Sequence, residues 1–287
     1  MFSISICSSA ALRSLVESVS QVLPELHFVI VNDDNFSGLQ LNAIDHHHIC
    51  CVNAQLFVPP HDVKGSGSFC VATSELITFL QAIDHGCVIQ LFGDDDCETV
   101  VLRAQDHTSR VYKISCIARE VEDIGLTDMT TVHQVHVQTA DFSAFLNLCK
   151  KQRYQNINIT IHETPSRVKA APHVDRYFTL SASGDQGSQA NHTEVKWGMV
   201  KQDTCIDLRE NSTAPADYNG DVPENATKIY EEAFSRDFLG RFCKNSPSND
   251  TVFTEIGLCG VEKPLIMHVD LGVERSHVRF VLAAQYE

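Results

Sequence analysis

Three features carry enough donor atoms to suggest chemistry. Asp45-His46-His47-His48, followed by Cys50-Cys51, places a carboxylate, three imidazoles and two thiols close together in the chain. Such a set could hold a transition metal, or it could be a solvated turn between two strands. Three adjacent histidines cannot all point one way from an extended backbone, and neither they nor the cysteines fall at a familiar zinc spacing. Asp94-Asp95-Asp96 has the charge for magnesium, but it sits between two apolar runs, where a solvated hairpin tip is expected. The eleven cysteines are an odd number and include no C-x-x-C pair, which points to reduced, buried thiols and away from a zinc ribbon. No G-x-x-x-x-G-K-S/T, G-x-S-x-G or H-E-x-x-H is present. Catalysis, a cofactor and a metal are therefore not expected, and binding is the remaining class of function.

The totals bound what can bind. At 287 residues and 43% hydrophobic, the chain can fill two ordinary cores. A net charge of -15 excludes a protein that is basic all over and coats nucleic acid. It does not exclude one that gathers its few cations on one surface. No run approaches the ~20 apolar residues of a membrane span, so no membrane partner is expected. The N-terminal Met-Phe-Ser-Ile-Ser-Ile-Cys lacks the basic region and apolar block of a secretory signal.

The elements that must position these residues alternate between two periods. Leu39, Leu41 and Ala43 face one side and Gln40 and Asn42 the other, the pattern of a half-buried strand. Helical spacing recurs in Leu12, Leu15, Val16 and Val19, again in Leu76, Phe79, Leu80 and Ile83, and in Phe142, Phe145, Leu146 and Cys149. Tyr230, Phe234, Phe238 and Phe242 suggest a fourth helix. Between them lie short apolar runs set off by turn residues, in the order strand, helix, three strands. That order appears twice in the first half of the chain and again in the second. The expected fold is α+β, mostly antiparallel, with two similar domains. These are residues 1–117 and 135–287, joined by a charged connector at 118–134, with a polar, mobile insert near 202–227.

Four segments in this frame resemble a known family. Leu41-Asn42-Ala43-Ile44-Asp45-His46-His47-His48-Ile49 is similar to its Leu-Gln-Ser-Met-Asp-Ser-Ser-His-Val strand and turn. Ile124-Gly125-Leu126 is similar to the Leu-Gly-Ile of its interdomain connector. Ser181-Ala182-Ser183-Gly184-Asp185 resembles Ser-Ala-Ser-Gly-Glu. Pro264-Leu265-Ile266-Met267 and the closing His277-Val278-Arg279-Phe280-Val281-Leu282-Ala283-Ala284 resemble Pro-Leu-Val-Val and His-Leu-x-Tyr-Tyr-Leu-Ala-Pro. The family is proliferating cell nuclear antigen, the sliding clamp of eukaryotic-type DNA replication.

The resemblance implies a DNA-clamp fold that assembles as a homotrimeric ring around double-stranded DNA, read without regard to sequence. It would act as a processivity factor for DNA polymerases, a clamp loader and other peptide-motif proteins. The expected place is the nucleus, or the replication site of a virus-infected cell. By the same resemblance the helices line the hole, and the DNA-facing cations are Arg13, Lys150, Lys151, Arg153, Arg236, Arg241 and Lys244. Ser14, Ser20, Thr78, Gln81, Ala144 and Asn147 stand where the family is basic, so the grip is expected to be weaker and to lie mainly along the second domain. The partner-peptide groove would use Ile44, His48, Cys51, Ile124, Leu126, Pro264, Val281, Leu282 and Ala284. Ile44 there replaces a methionine, Val281 a tyrosine and Ala284 a proline, and Thr131 stands where an aromatic residue is usual. In this picture Asp45 to His47 form an exposed turn, with Ile44 and His48 at its shoulders. A subunit of a heterotrimeric DNA-damage checkpoint clamp is the alternative.

Overall fold

The structure, a computed structural model, describes residues 1–94, 98–105, 109–118, 129–165, 174–183, 192–198, 205–207, 225–243 and 253–285. In the first part of the chain, β1 (Phe2–Ile6) and α1 (Ser9–Val19) lead to β2 (Glu25–Asn32), β3 (Ser37–Ile44), β4 (Cys50–Phe57), β5 (Val63–Lys64) and β6 (Gly67–Ala72). Then come α2 (Thr73–Ala82), β7 (Val88–Gly93), β8 (Thr99–Gln105) and β9 (Arg110–Ser115). The second part contains β10 (His133–Gln138), α3 (Thr139–Lys151), β11 (Asn156–Pro165), β12 (Val174–Ser183), β13 (His192–Gly198) and β14 (Cys205–Asp207). It ends with β15 (Thr227–Ser235), α4 (Arg236–Cys243), β16 (Phe253–Leu258), β17 (Leu265–Asp270) and β18 (His277–Leu282). Two compact units result. The first is Met1–Thr127 with Val269–Phe280, and the second is Asp128–His268 with Val281–Glu287.

The units are built alike. In the first, β5-β1-β7-β8-β9 form one antiparallel sheet and β4-β3-β2-β6 run side by side in another. In the second, β10-β16-β17 repeat the order of β1-β7-β8, and β13-β12-β11-β15 repeat that of β4-β3-β2-β6. Each unit has its two helices packed against one another, α1 on α2 and α3 on α4. The strands alternate because one face of each sheet meets the core. In β1, Phe2, Ile4 and Ile6 are buried while Ser3 and Ser5 are not. The helices bury a single stripe, in α3 that of Phe142, Phe145, Leu146 and Cys149, and each such large side chain stabilises its unit by roughly 1.5–3 kcal/mol.

One backbone detail sets the path of β3. Gly38 has φ +144° and lies against the backbone of β4, where an added Cβ would sit 2.0 Å from the Leu56 carbonyl oxygen. Only glycine fits.

One expectation is corrected. Tyr230 and Phe234 belong to β15, and the fourth helix begins only at Arg236. A spacing of four satisfies the helical period and also the strand period of two, and both rings are buried in either case. The insert near 202–227 contributes β14, which pairs in parallel with β10 through Gln134–His136, and most of its remainder lies outside the described residues. No helix among the described residues is long and apolar enough to cross a membrane.

Candidate nucleic-acid interface and partner surface

The two helix pairs differ in charge. On α1 the solvent side carries Ala10, Ser14 and the half-exposed Glu17, and α2 adds Ser74, Glu75, Thr78 and Gln81. Arg13 is the one cation in either helix, and its guanidinium is engaged. One terminal nitrogen lies 2.6 Å from His85 Nε2, and the other donates to the carbonyl oxygens of Leu80 and, at 3.3 Å, Ile83. These carbonyls belong to the end of α2, which lacks further helix to bond them. The start of α1 is tied to the same loop. Ser9 Oγ donates to the Asp84 carbonyl at 2.9 Å and accepts from Gly86 N–H at 2.9 Å.

The α3–α4 pair is different. Lys150, Lys151 and Arg153 are exposed at the end of α3, and Arg241 is exposed on α4. Asp141 and Asp237 sit in the first turns, where the helix dipole favours a carboxylate. The chain leaves α3 through a Schellman turn. Arg153 N–H bonds the Lys150 carbonyl and Tyr154 N–H the Cys149 carbonyl, both at 3.1 Å, with Arg153 at φ 63°. That turn holds the three cations together. Arg241 stacks over the Phe238 ring at 5.0 Å, which fixes the direction of its head. Arg236 is mostly covered. It pairs with Asp237, its Nε is buried without a partner, and its charge acts on the buried Cys149 thiol. Burial nevertheless dominates there and pushes Cys149 up to about 11. Lys244 lies outside the described residues.

The turn between β3 and β4 is organised by one carboxylate. Asp45 is 4% exposed, and its two oxygens accept from the N–H groups of His47 (3.0 Å), Ile49 (2.7 Å) and Cys50 (2.6 Å). The Asp45 N–H in turn bonds the Cys50 carbonyl at 2.8 Å, and His48 N–H bonds the Asp45 carbonyl at 3.0 Å. The expectation of an exposed Asp45 is thus corrected: only His46, His47 and His48 form the open tip. A carboxylate in a strand-ending turn is the Asx signature, and in Asp45 it was there to be read. Ile44 and Cys51 are cross-strand partners, both half-buried. The Cys51 thiol is pushed up by burial and then by the Asp45 charge. His48 is exposed, with φ 55°.

The remaining groove candidates lie in the second unit. Pro264 is half-buried just before β17, Val281 is 8% and Ala284 7% exposed, and Leu282 is wholly buried as a core residue. Ile124 and Leu126 lie outside the described residues. Thr131 packs over Gly257 so closely that a Cβ there would fall 2.5 Å from its methyl group. Among the described residues, no group of three or more histidine, cysteine, aspartate or glutamate side chains is placed to hold a metal.

No protein-family model matches the sequence, and no curated protein matches it. Solved structures do match the fold. A proliferating cellular nuclear antigen from Entamoeba histolytica superposes with a TM-score of 0.71 at 14% identity, covering 99% of both chains. A PCNA2–PCNA3 complex from Sulfolobus tokodaii gives 0.65 at 12% identity, covering 99% of this chain and 100% of that one. At such identities the likeness is one of architecture, and it spans the whole chain: this protein has the DNA-clamp fold of the PCNA structures.

Proposed function

We propose that the chain is a subunit of a DNA sliding clamp, a ring that encircles duplex DNA and tethers replication and repair enzymes to it. The observation that carries this reading is the full-length clamp fold, combined with the gathering of exposed cations on one helix pair of an otherwise acidic chain. Cations that meet phosphates attract without reading base edges, so a ring held this way can move along any sequence. The test is topological. Protein loaded on a nicked circular plasmid should stay bound in moderate salt and should slip off once the plasmid is linearised. Equal retention on both forms would refute encirclement.

Assembly would use open sheet edges. β9 borders one sheet of the first unit and β13 one sheet of the second, so β9 of one copy can pair with β13 of the next. Pairing of two different edges is heterologous and closes into a ring when the rotation allows. A homotrimer is the expected outcome, with a solution mass of three chains. The alternative is a subunit of a heterotrimeric checkpoint clamp; one of the similar structures is itself a complex of two different PCNA chains. That alternative predicts a monomer that assembles only with other chains.

Within the first unit, docking of partner peptides is assigned to the surface around Ile44, His48 and Cys51. The expected partners are DNA polymerases, a clamp loader and other peptide-motif proteins, at sites of DNA synthesis in the nucleus. Ile44→Asp should reduce binding of such a peptide at least tenfold while leaving the fold intact. Unchanged affinity would remove Ile44 from the surface.

A further inference from the structure

Arg13 is the only cation that α1 and α2 possess, and the structure gives it work away from solvent. We propose that Arg13 is a clasp that fixes α1 to the end of α2, and that the grip on DNA comes from Lys150, Lys151, Arg153 and Arg241 of the second unit. This rests on the clamp reading above. The acceptors of the guanidinium are the Leu80 and Ile83 carbonyls and His85 Nε2. The carbonyls mark the negative end of the α2 dipole, where a cation is already stabilised. A guanidinium only donates, so in the Arg13–His85 contact Nε2 is the acceptor. Swinging out to a phosphate would abandon three directed bonds for one contact screened by salt. The neighbours add nothing to attract DNA. Glu17 lies one turn further along α1 and Glu75 is exposed on α2, both negative.

On α3 and α4 the opposite holds. Lys150, Lys151 and Arg153 are exposed within four residues at one helix end, and Arg241 is oriented by Phe238. Each phosphate that such a cation neutralises releases a counterion, so each contributes to the salt dependence of binding. The α1–α2 pair then has no net positive charge to offer, and the α3–α4 pair does. Three identical subunits would present three separated basic patches.

The experiment measures duplex affinity by fluorescence anisotropy across a salt series, together with thermal unfolding, on the full chain. Wild type is compared with Arg13→Gln, Arg13→Lys and the double variant Lys150→Gln/Lys151→Gln. The double variant should flatten the slope of log affinity against log salt by about 2 per subunit engaged, roughly 1 for each lysine, with unfolding unchanged. Arg13→Gln should leave the slope alone and lower the unfolding midpoint by several degrees. Arg13→Lys keeps the charge but cannot span three acceptors, so it should be as unstable as the glutamine variant. A flattened slope in Arg13→Gln that lysine restores, with unfolding unchanged, would overturn the clasp. An unaltered slope in the double variant would overturn the second-unit grip. Absence of any duplex binding by wild type would instead overturn the clamp reading, and the unfolding midpoints would still judge the clasp.

Discussion

Single side chains fix the geometry that the candidate surfaces depend on. Asp45 is the strongest case, because three backbone N–H groups point at one buried carboxylate. Asp45→Ala leaves those donors without partners and should lower the unfolding free energy by about 2–4 kcal/mol in urea titration. His133 gives a pH dependence. Its ring meets Tyr230 edge-on at 6.2 Å, and its Nδ1 is buried without a partner. Burial, with the Arg176 charge, holds its pKa below the ordinary histidine value, against the opposing pull of Glu163. The unfolded chain therefore binds a proton that the folded chain resists, and stability rises with pH through this window. The unfolding midpoint should fall as pH drops below about 6.5, the unperturbed histidine value, and His133→Phe should reduce that fall. The thiols allow a third check. Cys50, Cys70, Cys149 and Cys259 are buried, whereas Cys7 is exposed. Of the described cysteines, iodoacetamide at neutral pH should label Cys7 first and reach Cys149 only when the chain unfolds, since burial also keeps that thiol protonated.

At the scale of elements, much was legible and the misses have physical causes. α1, α2 and α3 could be read from their apolar stripes because a stripe three or four residues apart over more than two turns fits nothing else. α4 was placed too early because Tyr230 and Phe234 fit a strand equally well. β5 and β14, of two and three residues, are too short to show any period. Which cations face water was not legible, since only the fold sends Arg13 of α1 to carbonyls and leaves Arg153, in the turn after α3, exposed. The turn-forming type of Asp45 was legible, but its burial was not, because its partners are backbone N–H groups that leave no trace in side-chain patterns. Two helix-level substitutions test the local account. Gly240 lies inside α4 with open space where a Cβ would go, so Gly240→Ala should stabilise the protein by about 1 kcal/mol. Arg153→Gly would relieve a positive φ in the Schellman turn and should stabilise by about 0.5–1 kcal/mol. Both are checked by equilibrium unfolding.

For the whole molecule, the repeat of one two-sheet, two-helix design in both units is the dominant fact, and the likeness to the PCNA structures extends over both. The repeat was visible in the order of elements, whereas the open edges at β9 and β13 emerged only from the strand pairing. β9 carries Val111, which is 53% exposed, whereas its neighbour Tyr112 packs on the Phe79 ring of α2 at 5.9 Å. Under the proposed pairing of β9 with a second copy, Val111→Asp should lower the solution mass read by light scattering, with little loss of unfolding stability.

The turn at Asp45 has one more consequence. Its shape is held from beneath, by a carboxylate and backbone groups, and His46 and His47 contribute only their backbone to it. Those two side chains are thus released from folding duty. Over evolutionary time they can drift toward whatever chemistry a new ligand rewards, while His48, at its positive φ, has a narrower choice weighted toward glycine and asparagine. The same economy makes the tip a natural attachment point for a fluorophore or affinity label that leaves both strands undisturbed.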